Sequence, residues 1–394
     1  MIRRSIIVVL TVIGCGIAHA QPSPLDSANL AMGPLEPEPP FVDLLTFGVG
    51  ARIFEKFGHA AICLRYHDPR NPTVCFNYGV TDFGESQTHP MRMLWHFLRG
   101  EQRFWVEPSL MGTMVGFYKM EDRDIWQQTL PLSPEATRVL EAKLWLSLDE
   151  THRFYFYDHF FDNCTTRLRD MIDEATAGKL AAGADVPYPL TFRQIGRRGL
   201  AEFPPLLAAT DFIMGRQLDD TPTLWQAMFH PDVLRQQIAA RLGVAPRLLS
   251  KRNGPDFPVD GPTDRLPMLG LGVLFALPLL LARLTRRLEA LALAWATLEL
   301  TVWGLVIWGL VILSAIPGVR WNEAVFVFVP FDAVLPFLRP ERRRRYALLR
   351  LAMVTIVSLL GALGVLHQPL GVPILTAFMP LAIIALVRAR PKTE

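Results

Sequence analysis

Cys164 stands where an aromatic, strand-like run gives way to a helix. In FYFYDHFFDNCTTRLRDMI, Phe154 to Tyr157 and then Phe160 and Phe161 lead into Asp162, Asn163 and Cys164, after which Leu168, Met171 and Ile172 recur on one helical face. A thiol at a helix N-terminus meets free backbone N–H groups and the positive end of the helix dipole, which favour the thiolate and hence nucleophilic chemistry. Asp162 or Asn163 serves as the cap. The competing reading makes Cys164 a small buried hydrophobe. Thiol catalysis further requires a base and a group that orients it, so the rest of the chain must supply both.

Among His59, His67, His89, His96, His152 and His159, His59 has the most suggestive context, following Gly58 at the mouth of an apolar strand in KFGHAAICL. Asn77, in CFNYG, falls on the partner strand at a separation that brings its amide near His59, which makes it the candidate orienter. The bland alternatives are a satisfied structural histidine and a turn residue beside Gly79. His159 and Asp158, nearer Cys164 in sequence, compete for the same roles. Tyr78, Asn163 and Arg167 are candidate substrate contacts. Arg167, one turn beyond the thiol, has a solvated surface position as its bland alternative. Cys and His ligands are not paired at metal spacing, and no Gly-rich phosphate loop or G-x-S-x-G elbow occurs, so neither metal nor cofactor is expected.

The elements that must position these residues follow from the pattern. Ala60 to Tyr66 and Val74 to Tyr78, joined by HDPRNPT, read as a hairpin. Cys63 and Cys75 flank it, placed either to form a disulfide or to remain two buried thiols, and Cys164 has no obvious partner. An apolar run over Val42 to Phe47, a short helix over Met91 to Arg99, a strand over Arg103 to Val106 and a helix over Pro134 to Leu148 with Ser133 as cap complete the frame. Helical pieces such as Thr221 to Met228 and Asp232 to Leu242 follow.

The chain has 394 residues, 51% of them hydrophobic, and a net charge of +3 that is too small to argue for nucleic acid. Arg3 and Arg4, the run Ile6 to Ile13 and Ala18-His19-Ala20 read as a signal peptide over 1–20, with an uncleaved anchor and a lipoprotein-like box at Cys15 as alternatives. A Pro- and Ser-rich linker covers 21–40, the globular part 41–250, and a second linker 251–265. Apolar runs then fill 266–388, with candidate crossings at Leu266 to Ala282, Leu300 to Val319, Ala324 to Leu338, Leu351 to Gln368 and Leu370 to Val387, before a tail at 389–394. Ala324 to Leu338, with Pro330, Asp332 and Pro336, spans, re-enters or lies at the interface. If it spans, every basic cluster (Arg283 to Arg287, Arg339 to Arg345, Arg388 to Lys392) falls on the cytoplasmic side and the N-terminal domain outside.

The chain order of histidine, polar residue on the next strand and cysteine opening a helix is similar to that of circularly permuted papain-like enzymes. FGHAAICL, FNYGVTDF and YDHFFDNCTTRLRD together resemble the N-terminal periplasmic domain of the Lnb-type lipoprotein N-acyltransferases. The likeness continues through Thr191-Phe192-Arg193, MGRQLDDTPTLWQAMFHPDVL and Arg320-Trp321-Asn322. It implies an α+β, circularly permuted papain-like (NlpC/P60-like) thiol domain followed by an all-α transmembrane bundle in a bacterial inner membrane. It further implies Cys164 as nucleophile and His59 as base, moving an acyl chain from a membrane phospholipid to the α-amine of diacylglyceryl lipoproteins. Asn77 as orienter is inferred from the permuted order. His159 departs from the family by standing where an aromatic residue is expected, and Cys63 and Cys75 have no counterpart there. The rivals are a cysteine peptidase or amidase of cell-wall peptide, and a non-enzymatic membrane assembly protein.

Overall fold

A computed structural model describes residues 37–50, 55–81, 90–200, 204–256 and 265–387. The signal segment, most of both linkers, His89 and the tail lie outside the described residues. The chain divides into two compact units, one of Met1–Gly199 with Thr221–Gly261, the other of Leu200–Asp220 with Pro262–Glu394. Residues 200–220, read above as part of the globular domain, thus group with the second unit.

The first unit carries β1 (Phe41–Phe47), β2 (His59–Arg65), β3 (Val74–Val80), α1 (Pro90–Leu98), β4 (Arg103–Leu110), α2 (Met111–Met120), β5 (Ile125–Thr129), α3 (Pro134–Leu146), β6 (Phe154–Phe156), α4 (Cys164–Ala175), α5 (Phe192–Leu200), α6 (Leu224–Ala227), α7 (Pro231–Leu242) and β7 (Arg247–Ser250). Its strands form a seven-stranded antiparallel sheet in the order β6-β4-β3-β2-β1-β5-β7. β1 and β2 are buried along almost their whole length because both faces of the sheet centre are covered, which is why they read as near-continuous apolar runs. On one face Leu45, Phe47, Ala61, Cys63, Cys75 and Ile125 pack with Met114 and Tyr118 of α2. On the other, α4 packs against β2 and β3. Asp43, fully buried in β1, is paired with Arg65 at 2.8 Å, as a buried carboxylate must be. Cys63 lies directly opposite Cys75 across the hairpin and the two form a disulfide, which leaves Cys164 as the free thiol among the described residues.

The second unit is helical: a helix over Pro204–Ile213, then α8 (Arg265–Thr285), α9 (Glu289–Leu313), α10 (Pro340–Ala362) and α11 (Gly371–Leu386). By length and composition α9 and α10 are long and apolar enough to cross a membrane, and Leu269–Thr285 and Gly371–Leu386 are shorter apolar helices. The third candidate crossing, Ala324 to Leu338, forms no α-helix. Pro330 and Pro336 interrupt the hydrogen-bond ladder, and the segment forms the 3-10 turns Glu323–Phe326 and Pro330–Phe337. These turns run back along α9, with Val329 and Pro330 against Gly304 and the Trp308 indole donating to the carbonyls of Val325 and Phe328. Asp332, at 0% exposure, accepts from both Arg350 Nε (2.8 Å) and Nη2 (3.0 Å) and from the Tyr346 hydroxyl. Three arginines of the first two basic clusters lie at one end of this unit: Arg283 donates to the Val387 carbonyl, Arg344 to that of Ala385, and Arg343 to those of Leu335 and Leu338.

Candidate active site

Cys164, His59 and Asn77 come together at one end of the first unit's central strands. Asn163 caps α4: its Oδ1 accepts from the backbone N–H groups of Thr165 (2.8 Å) and Thr166 (2.9 Å), and Thr166 Oγ1 accepts from Asn163 N–H. The thiol is therefore fixed on the first residue of the helix. Gly79 lies behind it with φ +94°, and a Cβ there would sit 3.6 Å from the Cys164 Cβ. Gly58, with φ +79°, admits no side chain, since a Cβ would meet the Phe47 carbonyl at 2.8 Å and the Pro231 ring at 3.3 Å. It aims β2 so that His59 opens the strand at this end.

His59 packs on Phe47 and Tyr118 at ring separations of 5.8 and 6.0 Å. Its Nε2 lies 3.3 Å from Asn77 Oδ1, while Asn77 Nδ2 donates to Ser109 Oγ at 2.6 Å. With the amide oriented by Ser109, its oxygen faces the ring, so in neutral His59 the proton sits on Nε2 and Nδ1 keeps its lone pair. Burial, followed by the positive charge of Arg123, pushes the His59 pKa down to about 4, against the raising effect of Asn77. Arg123 is itself buried. Its Nε donates to the Gly48 carbonyl and its guanidinium lies 4.5 Å from the Tyr118 ring centre, but Nη1 and Nη2 have no hydrogen-bond partner.

The thiol departs from the sequence expectation. Burial pushes the Cys164 pKa up, and hydrogen bonds from the backbone of Ala60, Thr165 and Cys164 itself and from the Thr165 hydroxyl do not offset it. The helix start fails to acidify the thiol because the site is deep, and burial outweighs the N–H groups that reach Sγ. The ground state is a neutral thiol beside a neutral imidazole. Sγ contacts Thr165 Oγ1 at 3.7 Å and is not hydrogen-bonded to His59.

A cavity of about 70 Å³ is lined by Gly58, His59, Gly79, Asn163, Cys164 and Thr165 together with Phe57, Phe104, Tyr157, His159, Phe229, His230 and Pro231. Asn163 lines it, but its amide is spent on the cap and on donating to the carbonyls of His159 (2.7 Å) and Phe229 (3.1 Å). Tyr78 and Arg167 are not in the lining. The Tyr78 hydroxyl points to Met171 Sδ at 3.9 Å, and Arg167 is held bidentately by Asp162 at 2.7 and 2.8 Å and lies over the Tyr155 ring. Asp158 caps its own loop by accepting from the N–H groups of Phe160 and Phe161, so it orients no histidine. His159 does face the cavity, its Nδ1 3.1 Å from the Tyr157 hydroxyl and its ring packed on Phe57 and Phe160. His230 and Arg123 were not singled out in the sequence. His230 falls within the segment MGRQLDDTPTLWQAMFHPDVL quoted above, and its local signal is its place immediately before a proline that opens α7. Among the described residues no cluster of His, Cys, Asp or Glu could hold a metal ion.

Residues 41–198, which carry Cys164, His59 and Asn77, match the family described as the Lnb N-terminal periplasmic domain. No curated protein and no solved structure matches the chain.

Proposed function

We propose that this chain, whose residues 41–198 match the Lnb N-terminal periplasmic domain, is a lipoprotein N-acyltransferase working through a thioester on Cys164. The observation that carries the proposal is the convergence of a free thiol at a capped helix start and a histidine held by an amide on one cavity of that domain. The order of these residues along the chain supports the permuted papain-like reading of the fold.

His59 Nδ1 accepts the Cys164 proton as Sγ attacks the carbonyl carbon of a phospholipid ester, and a C–S bond forms while the carbonyl electrons move to oxygen. The oxyanion collapses, the ester C–O bond breaks, and the lysolipid alkoxide takes the proton from His59, leaving an acyl thioester. The α-amine of a diacylglyceryl-cysteine then attacks the thioester carbon. A C–N bond forms, the C–S bond breaks, and the amine proton passes through His59 to the released thiolate. Ester and amine become alcohol and amide. A neutral thiol and neutral imidazole suit this route, in which proton transfer accompanies attack and no ion pair precedes it.

We take the cavity of about 70 Å³ to receive the reacting carbonyl and not the body of a fatty chain. The chain stays outside, in lipid, which suits a domain linked to helices that are apolar enough to span a membrane. We place the domain on the periplasmic side and the basic end of the helical unit in the cytoplasm. The test is intact mass analysis of the full-length protein after incubation with phosphatidylethanolamine vesicles. A hydroxylamine-labile acyl adduct on the Cys164 peptide supports the proposal, and its absence from a catalytically active preparation excludes the thioester route.

A further inference from the structure

The tetrahedral intermediate just described needs hydrogen-bond donors for its oxyanion, and α4 is short of them. Thr165 and Thr166 give their N–H groups to Asn163 Oδ1, Thr165 sharing its own with Sγ, and Arg167 gives its own to the Asn163 carbonyl, so the N–H at the helix start that stands outside the cap is that of Cys164 itself. Oxyanion sites draw on at least one further preorganised donor, worth about 100- to 1000-fold in rate.

His230 fits that need. It lines the same cavity as Cys164, is 2% exposed, and its Nε2 is buried without a hydrogen-bond partner. Its Nδ1 accepts the backbone N–H of Asp232 at 3.3 Å, so the neutral ring carries its proton on Nε2, the unpartnered atom. An N–H left unsatisfied in the interior is costly, a penalty that a site can carry for a ligand that arrives during reaction. The ring is also held in place. Pro231 packs against Gly58, next to His59, and the Phe229 carbonyl accepts from Asn163 Nδ2, next to Cys164. His159 Nε2 is unpartnered too, but the Tyr157 hydroxyl beside its Nδ1 can donate or accept, so neither tautomer is fixed. We propose that His230 Nε2–H, with the Cys164 N–H, forms the oxyanion site of acyl transfer, a role outside the residues matched to the family domain. This rests on the thioester reading above.

Single-turnover acylation of Cys164 in the full-length protein, with phosphatidylethanolamine vesicles as donor, is compared with alkylation of the same thiol by iodoacetamide. Alkylation attacks a saturated carbon and builds no oxyanion, so it reports the integrity of the site without His230. His230→Leu should lower acylation about 100-fold and leave alkylation unchanged, and His230→Asn, which restores an N–H donor, should recover at least about tenfold of the loss. The proposal is overturned if His230→Leu acylates within about threefold of wild type, if acylation and alkylation fall together, if His230→Asn is no better than His230→Leu, or if His159→Leu takes the loss instead. Absence of any thioester in wild type is a separate result: it rejects the thioester reading, and the oxyanion site with it.

Discussion

The side-chain amide of Asn163 donates to the carbonyl of Phe229 at 3.1 Å, joining the residue before the thiol to the residue before His230. The same side chain caps α4, so one buried residue ties both the helix start and the Phe229–His230 loop to the site. Asn163→Asp keeps the acceptor of the cap and loses the donor to Phe229, whereas Asn163→Ala loses both. Thermal unfolding should show a loss of about 1–2 kcal/mol for the missing cap in Asn163→Ala and a smaller loss in Asn163→Asp. Equal losses would mean that the cap is not what Asn163 contributes.

Stability of the first unit should fall on acidification. His59, His159 and His230 are each pushed by burial to about 4, below the ordinary 6.5. Between these values the unfolded chain binds more protons than the folded one, so stability is complete above about 6.5 and is lost as pH falls through about 4. Melting temperature measured from pH 7.5 to 4 should decline across this window, and His159→Phe should make the decline shallower. A flat profile would contradict the burial of these rings.

Arg123 holds His59 down by its charge. Arg123→Gln should therefore raise the His59 pKa and move the acid limb of the Cys164 acylation rate to higher pH. The loss of stability should be small, because the guanidinium has unpartnered Nη groups to begin with. An acid limb that stays in place would show that Arg123 acts on packing alone.

In the helical unit, Asp332→Ala should cost about 3–5 kcal/mol because it strands the buried Arg350 guanidinium, and Asp332→Leu with Arg350→Met should recover most of that loss. Detergent-solubilised unfolding of the single and double variants separates the two. If the double variant is as unstable as the single, the pair holds the irregular Pro330–Phe337 segment by more than charge neutralisation.

The local parts of this structure were legible in the sequence. The strand, turn and strand around Cys63 and Cys75 place His59 near Asn77, and the switch from aromatic run to helical period marks Cys164 as the first residue of α4. What escaped depends on long-range packing. The Phe229–His230 loop meets Asn163 across 66 positions, and nothing in its own pattern announces the meeting. Arg167 reads as a free cation until Asp162 is seen folded back onto it. The helix-start argument gave the wrong sign for the thiol because sequence shows the dipole but not the burial that outweighs it. The prolines of the third expected crossing signalled an irregular segment, while the Asp332 to Arg350 pair that anchors it is visible only in the fold.

The most direct measurement is mass spectrometry of N-terminal lipopeptides from cells whose lipoprotein N-acylation depends on this chain, comparing wild type, Cys164→Ala and His59→Ala at matched membrane levels. Thiol-based acyl transfer requires N-acylated peptides in wild type and free α-amines in both variants. N-acylated peptides from Cys164→Ala would remove Cys164 as the nucleophile and, with it, the thioester on which the proposed mechanism depends.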